Sequence, residues 1–197
     1  MKLPLGLETR LGELLRERRR TLLLETMPRH GVCAEIGVWK GDFSERILRV
    51  AQPRELHLVD PWSYEAGSEQ WHGTGAAGSQ DRMDRIYDAV RDRFRGNPRV
   101  RIHRADSRAC SELFADESLD WVYVDGDHLY DAVLFDLRTL APKVKPGGFI
   151  AGDDLTWGEE NGYPVLRAVA EFVRTGPAEF HHVAKDQFVL VRTHERA

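Results

Sequence analysis

The sequence predicts an α/β protein: a doubly wound, Rossmann-like sheet of seven strands, mostly parallel, with one antiparallel strand supplied by a C-terminal hairpin. Three observations carry that prediction. Short runs rich in branched and aromatic residues alternate with stretches of helical periodicity, the pattern of parallel strands joined by crossover helices. The first of these strands runs into Gly37 and Gly41, so a tight strand-to-helix turn is expected. The last two apolar runs, residues 180–183 and 187–192, are separated only by Ala184-Lys185-Asp186 and read as a hairpin.

At 197 residues and 42% hydrophobic, the chain is most simply one domain with a sizeable core, spanning 1–197. Within it, residues 1–30 form an N-terminal helical segment and residues 62–80 a lid-like insertion. The net charge of −4, with no long basic tract, argues against a nucleic-acid partner. The densest basic cluster, Arg16-Glu17-Arg18-Arg19-Arg20, is expected to be the solvated face of a helix. Two cysteines, Cys33 and Cys110, make no disulfide framework and fit a reducing compartment. No signal peptide and no apolar run of membrane-spanning length is visible, so a cytoplasmic protein without a membrane partner is expected.

Residues 7–26 read as an amphipathic helix, with Leu11, Leu14, Leu15, Leu22 and Leu23 on its apolar side, stopping before Pro28. That side suits the chain's own sheet and a second copy equally, so a homodimer stands beside the monomer as an expectation. Val32 to Ile36 is a short buried strand. The glycine turn and a helix from Asp42 to Val50 follow, then a strand Glu55-Leu56-His57-Leu58-Val59-Asp60. The stretch 62–80 holds Trp62, Tyr64, Trp71 and His72 among glycines, and its length suggests a lid or binding loop.

Met83, Ile86, Tyr87, Val90 and Phe94 mark a helix closed by Gly96-Asn97-Pro98. Residues 99–103 alternate like a strand and lead to Ala105-Asp106-Ser107, with a short helix expected over 108–114. Leu119-Asp120-Trp121-Val122-Tyr123-Val124 is the strongest β run and ends in Asp125-Gly126-Asp127-His128. Val133, Leu137 and Leu140 give the next helical face. Lys145-Pro146-Gly147-Gly148 reads as a turn, with proline presetting φ and glycine taking the positive φ after it. Phe149-Ile150-Ala151 is a strand ending in Gly152-Asp153-Asp154, and a helix starts near Pro164.

In such sheets ligands bind outside the carboxyl ends of the strands. Asp60, Asp106, Asp125, Asp127, Asp153 and Asp154 all fall at such ends. Asp60 lies about two dozen residues past Gly37, near the spacing that puts a carboxylate on a ribose. The glycine pattern, however, is E-x-G-x-x-x-G, not G-x-G-x-x-G. Glu35 in that turn would repel a pyrophosphate and suits a ligand with a cationic or amine-bearing end. S-adenosylmethionine has a ribose, an adenine, a sulfonium and an α-amino group, and no phosphate.

Taken together, residues 31–192 resemble a class I S-adenosylmethionine-dependent methyltransferase. The glycine loop, the strand ending in Asp60, Asp106, Tyr123-Val124-Asp125-Gly126-Asp127-His128 and Lys145-Pro146-Gly147-Gly148 occur in the order of that fold. The resemblance is nearest to small bacterial metal-dependent O-methyltransferases acting on catechols, phenylpropanoid thioesters and antibiotic sugars. It implies that Asp60 holds the ribose and that Asp106, with Ser107 beside it, meets the adenine amine. It places Glu35 and Gly37 at the methionine end. Val38, Gly41, Ser44, Pro61, Trp62 and Asp125 complete the implied cofactor shell. A helix N-cap or Asx-turn is the competing reading of Asp106.

Asp125, Asp153 and Asp154 match that branch's metal positions. Carboxylates so gathered repel one another unless a cation compensates them. An all-oxygen set suits magnesium, manganese or calcium. A metal-chelated hydroxyl is a stronger acid, which would help a small-molecule acceptor attack the methyl group. Asp127 and His128 compete as general base: histidine titrates near working pH, and Asp127 has an N-cap alternative. A metal-free methyltransferase acting on an amine, and a non-catalytic cofactor-binding subunit, remain alternatives.

Overall fold

A computed structural model describes residues 5–64 and 78–194. Most of the expected lid, including Trp71 and His72, lies outside the described residues. Seven strands form one sheet in the order β3-β2-β1-β4-β5-β7-β6. They are β1 (Val32–Ile36), β2 (Glu55–Asp60), β3 (Val100–Arg104), β4 (Leu119–Val124), β5 (Val144–Gly152), β6 (Ala178–Ala184) and β7 (Gln187–Arg192). Strands β1 to β5 pair in parallel, and β7 runs antiparallel between β5 and β6, as the sequence predicts.

Helices cover both faces. α1 (Leu5–Thr26), α2 (Asp42–Val50) and α3 (Gln80–Arg93) lie on one side; α4 (Cys110–Leu113), α5 (Tyr130–Leu140) and α6 (Pro164–Thr175) lie on the other. Two apolar layers result. One packs Val122, Val124 and Ile150 against α5 and α6, and the other packs Trp121, Tyr123 and Leu58 against α1, α2 and α3. β4, at the middle of the sheet, is apolar on both sides because both sides are covered.

The register sets the site. Ile36 pairs with Val59 on one side and Val124 on the other, and Val124 pairs with Gly152. The ladder then runs one residue further: Gly37 N–H donates to Val59 O (3.0 Å), and Asp125 N–H donates to Ile36 O (2.8 Å). Gly37, Asp60, Asp125 and Asp153 therefore form a row along one rim.

Two expectations change. Lys145-Pro146-Gly147-Gly148 is not a free turn but a bulge inside β5. While β4 advances from Leu119 to Trp121, β5 advances from Val144 to Phe149. Pro146 has no N–H for the ladder, and Gly147 takes φ +78°. Lys145, freed from the ladder, reaches Asp120 Oδ1 at 2.5 Å. The second change concerns α1. Leu14, Leu15 and Leu22 face outward, whereas Leu23, Leu24 and Met27 are buried. The inward stripe is Arg16, Arg20, Leu23 and Leu24, and Met27, a helical spacing whose first half is basic.

Candidate active site

Gly37 takes φ +86°, and a Cβ there would stand 2.1 Å from the carbonyl oxygen of Asp125. Only glycine lets β1 and β4 end so close together. Asp60 organises the turn that follows. Its Oδ2 accepts the N–H groups of Val38 and Trp39, each at 2.9 Å, and its Oδ1 accepts Trp62 N–H at 2.7 Å. The residue assigned to the ribose thus also holds the loop that would receive the cofactor.

Several residues of the implied cofactor shell support the loop from beneath. Val38 is buried. Trp62 is 0% exposed, packs on Tyr87 and donates its indole N–H to Trp39 O (2.9 Å), so its side chain is part of the core beneath the loop. Gly41 caps α2 in the left-handed region, and a Cβ there would meet the Phe94 ring at 2.9 Å. Pro61 stays at the surface, with its carbonyl turned to Arg104.

Glu35 is 1% exposed and accepts the Ser44 hydroxyl at 2.5 Å. Burial is the main cause that pushes its carboxyl up to about 8; Asp125 and Asp60 add to this, and Ser44 and Arg20 oppose it. Ser44, itself buried, therefore serves Glu35. At neutral pH Glu35 holds a proton and is ready to ionise beside an arriving ammonium or sulfonium.

On the side assigned to the adenine, Asp106 Oδ1 accepts Arg108 N–H (2.7 Å) and caps the short turn after β3. The competing Asx reading therefore describes its present contacts. Ser107 donates to Asp136 Oδ1 at 2.6 Å. Asp136, buried on α5, is raised to about 6, first by burial and then, against the Ser107 hydrogen bond, by Asp106 and Asp127. Sequence reasoning missed Asp136. Its signal was an acidic residue set among Val133, Leu137 and Leu140 on an apolar helix face.

The acidic rim differs most from expectation. Arg20 reaches from α1 to Asp153 Oδ2 through Nε (2.7 Å) and to Asp125 Oδ2 through a terminal nitrogen (2.6 Å). Arg16 contacts Asp153 Oδ2 at 3.0 Å and Asp154 Oδ2 at 3.3 Å. His128 Nε2 lies 2.7 Å from Asp154 Oδ2. The basic run expected to be solvated supplies the compensation expected of a metal.

Burial works against the charge of His128, but its hydrogen bond to Asp154 and the charges of Asp154, Asp125 and Asp127 outweigh it and raise its pKa. Burial also opposes charge on Asp154, yet the His128 hydrogen bond and the His128, Arg16 and Arg20 charges hold it below the usual carboxylate range. Asp125 is raised, chiefly by burial and then, despite Arg20, by Asp153 and Asp154. Asp127 is exposed and accepts Leu129 N–H at 2.8 Å, which closes a local turn but does not cap α5, whose N-cap is Leu129.

Among the described residues, donor atoms of Asp125, His128 and Asp154 lie within 4.8 Å of one another and form a group able to hold a metal ion. Asp153 is outside that group, and its Oδ2 is held by Arg16 and Arg20. Its Oδ1 is nevertheless buried without a hydrogen-bond partner, as is Gln187 Oε1 at the start of β7. An orphaned carboxylate oxygen beside two further carboxylates fits a hard divalent cation. No helix among the described residues is long and apolar enough to cross a membrane.

Comparison with known proteins bears on this arrangement. A family model described as a methyltransferase domain matches residues 34–155, from the glycine turn to just past Asp154. No curated protein sequence is significantly similar to the chain. Among solved structures, the cofactor-bound protein Rv0187 from MTB superposes with a TM-score of 0.63 at 14% identity, over 92% of this chain and 81% of that one. The O-methyltransferase NovP gives 0.56 at 21% identity, covering 91% and 80%. The N-methyltransferase NodS from Bradyrhizobium japonicum gives 0.58 at 14% identity, covering 90% and 97%. These likenesses share the fold across different acceptor atoms, and the family match decides the class. The chain belongs to the methyltransferase domain family and is an S-adenosylmethionine-dependent methyltransferase.

Proposed function

We propose that this methyltransferase modifies a hydroxyl of a small molecule, such as a phenolic or a sugar-bearing compound, with help from a divalent cation at the acidic rim. The observation that carries the reading is the buried, unpartnered Oδ1 of Asp153, next to the Asp125, His128 and Asp154 group. Asp125, Asp153 and Asp154 would hold the cation, which would acidify a coordinated hydroxyl. Glu35 would take the α-ammonium of the cofactor, Asp60 its ribose and Asp106 its adenine amine.

The chain's own residues then have defined tasks. The acceptor oxygen attacks the methyl carbon, the carbon–sulfur bond breaks, and the sulfonium becomes a neutral thioether. The hydroxyl proton passes to the base. His128 suits that role better than Asp127, because Asp154 orients its ring at 2.7 Å from within the site, while Asp127 is exposed and engaged by Leu129 N–H. Burial of Glu35 and Asp153 keeps both ends of the reaction path out of bulk water, where their charges act more strongly.

A second reading has its own support: the rim already holds two guanidinium groups, so a cationic amine acceptor would also suit it, without a metal. Transfer of labelled methyl groups to catechols, vicinal-diol sugars and primary amines separates the two. Transfer to an oxygen acceptor, lost on chelation and restored by magnesium, is the expected result. Chelator-insensitive transfer to an amine would replace the first reading by the second. A soluble enzyme with no nucleic-acid or membrane partner, working alone or as a homodimer in the cytoplasm, completes the proposal.

A further inference from the structure

The ends of α1 are held differently. Leu23, Leu24 and Met27 bury its C-terminal half in the apolar layer below the sheet. Between Leu14 and Arg20, Leu14 and Leu15 are 66% and 45% exposed, and the inward contacts of the charged residues are polar. Arg16 and Arg20 sit on the rim carboxylates, Arg19 reaches Asp186 at 3.4 Å, and Glu17 pairs with Arg46. The exposed pairs of Arg19 and Glu17 exchange with water at small cost, whereas Arg20 on the buried Asp153 can leave only when another cation takes its place, and the leucine anchor has no such substitute.

The rim contacts are also those a metal would need. Asp125 Oδ2 is taken by Arg20, Asp153 Oδ2 by both arginines, and Asp154 Oδ2 by Arg16 and His128. Three carboxylates face two guanidiniums, which compensate most of their charge with α1 in place. Yet Asp153 Oδ1, in a residue 4% exposed, has no partner. The guanidiniums neutralise the cluster without satisfying it. A divalent ion that drew in Asp153 beside Asp125 and Asp154 would bind oxygens at about 2.0–2.6 Å and compete with Arg16 and Arg20 for the same Oδ2 atoms.

We propose that α1 is a latch: Arg16 and Arg20 stand in for a divalent cation on Asp125, Asp153 and Asp154, and the part of α1 up to and including Arg20 lifts away when the cation binds. This rests on the metal-assisted reading above. A latch closed most of the time lowers the apparent affinity for the ion by the fraction of molecules that are open. Removing the arginines should remove that penalty.

The test is manganese binding by calorimetry to the full chain, with hydrogen exchange of α1 measured in parallel. The double variant Arg16→Gln, Arg20→Gln should bind manganese about tenfold tighter than the wild type or better. The control Arg19→Gln removes one charge from the same helix away from the rim and should stay within about twofold of the wild type. In the wild type, saturating manganese should raise the exchange of backbone amides in α1 up to Arg20 and leave those around Leu23 and Leu24 protected. The hydrogen-exchange arm needs no variant, so poor folding of the double variant leaves the proposal open to refutation. Equal affinity in the wild type and the double variant, or an α1 that stays protected with manganese bound, overturns the latch and leaves the metal site standing. Absence of manganese binding in every form overturns both.

Discussion

Glu35→Gln is the substitution whose consequence can be worked furthest. Glu35 is 1% exposed, and its carboxyl is raised from 4.5 to about 8, chiefly by burial. The folded protein therefore keeps a proton that the unfolded chain has released across that window. The stabilisation from this group is complete below pH 4.5 and is lost as pH rises toward 8. The whole gap corresponds to about 5 kcal/mol. Over the practical range from about pH 5.5 to 7.5, the wild type should lose roughly 2–3 kcal/mol relative to the variant. Glutamine keeps the shape and an acceptor for the Ser44 hydroxyl but cannot ionise. Urea unfolding of both proteins at several pH values measures the difference. Parallel stability curves would show that Glu35 is already ionised in the folded state and that the burial argument fails. The same carboxyl should release close to one proton per S-adenosylmethionine bound near neutral pH, and calorimetry in buffers of different ionisation enthalpy reads this directly. The variant should release none.

Other substitutions test neighbouring parts of the site. Gly37→Ala must move the Asp125 carbonyl that stands 2.1 Å from the added Cβ, at a residue with φ +86°, so a loss of about 3 kcal/mol or more in denaturant unfolding is expected. Asp60→Ala leaves the Val38, Trp39 and Trp62 N–H groups without their carboxylate. It should lower the melting temperature, and the cofactor dissociation constant should rise by at least about tenfold. Asp153→Ala should cut methyl transfer by about a hundredfold or more while leaving the cofactor dissociation constant within about twofold; binding measured beside turnover separates these effects.

The fold was legible because its determinants are local. The apolar runs of β1, β4 and β5, the glycine turn and the hairpin each announce themselves within a few residues, and the handedness of parallel connections does the rest. Glu35, expected in the glycine turn, lies inside β1 and is buried against Ser44, a placement that depends on how β1 sits between β2 and β4. Asp136 escaped notice, and the Ser44 hydrogen bond to Glu35 was not foreseen, because the importance of each lies in what it touches. The burial of Trp62 was not legible because an aromatic residue after a strand can enter a loop or a core, and the choice depended on Tyr87 and the Trp39 carbonyl. The KPGG bulge has the composition of a turn, and only pairing with β4 on both sides of it identifies it as part of a strand.

Arg16 and Arg20 were hidden for a deeper reason. Leucines at helical spacing on α1 draw the inward face toward Leu14, Leu15 and Leu22, and local periodicity cannot see the charge waiting at the other end of the fold. Two unit charges about 4 Å apart interact by about 4 kcal/mol at the effective dielectric of a protein surface. Three carboxylates on one rim therefore outweigh the burial of a few leucines in choosing which face of α1 turns inward. Arg20 also lies over the Phe43 ring at 5.0 Å and lowers the pKa of Glu35, so it touches both the metal half and the cofactor half of the site. A sulfonium nucleoside arriving at Glu35 brings positive charge into the field that holds Arg20 in place. Cofactor binding and release of α1 should then favour each other, because each relieves a repulsion that the other creates.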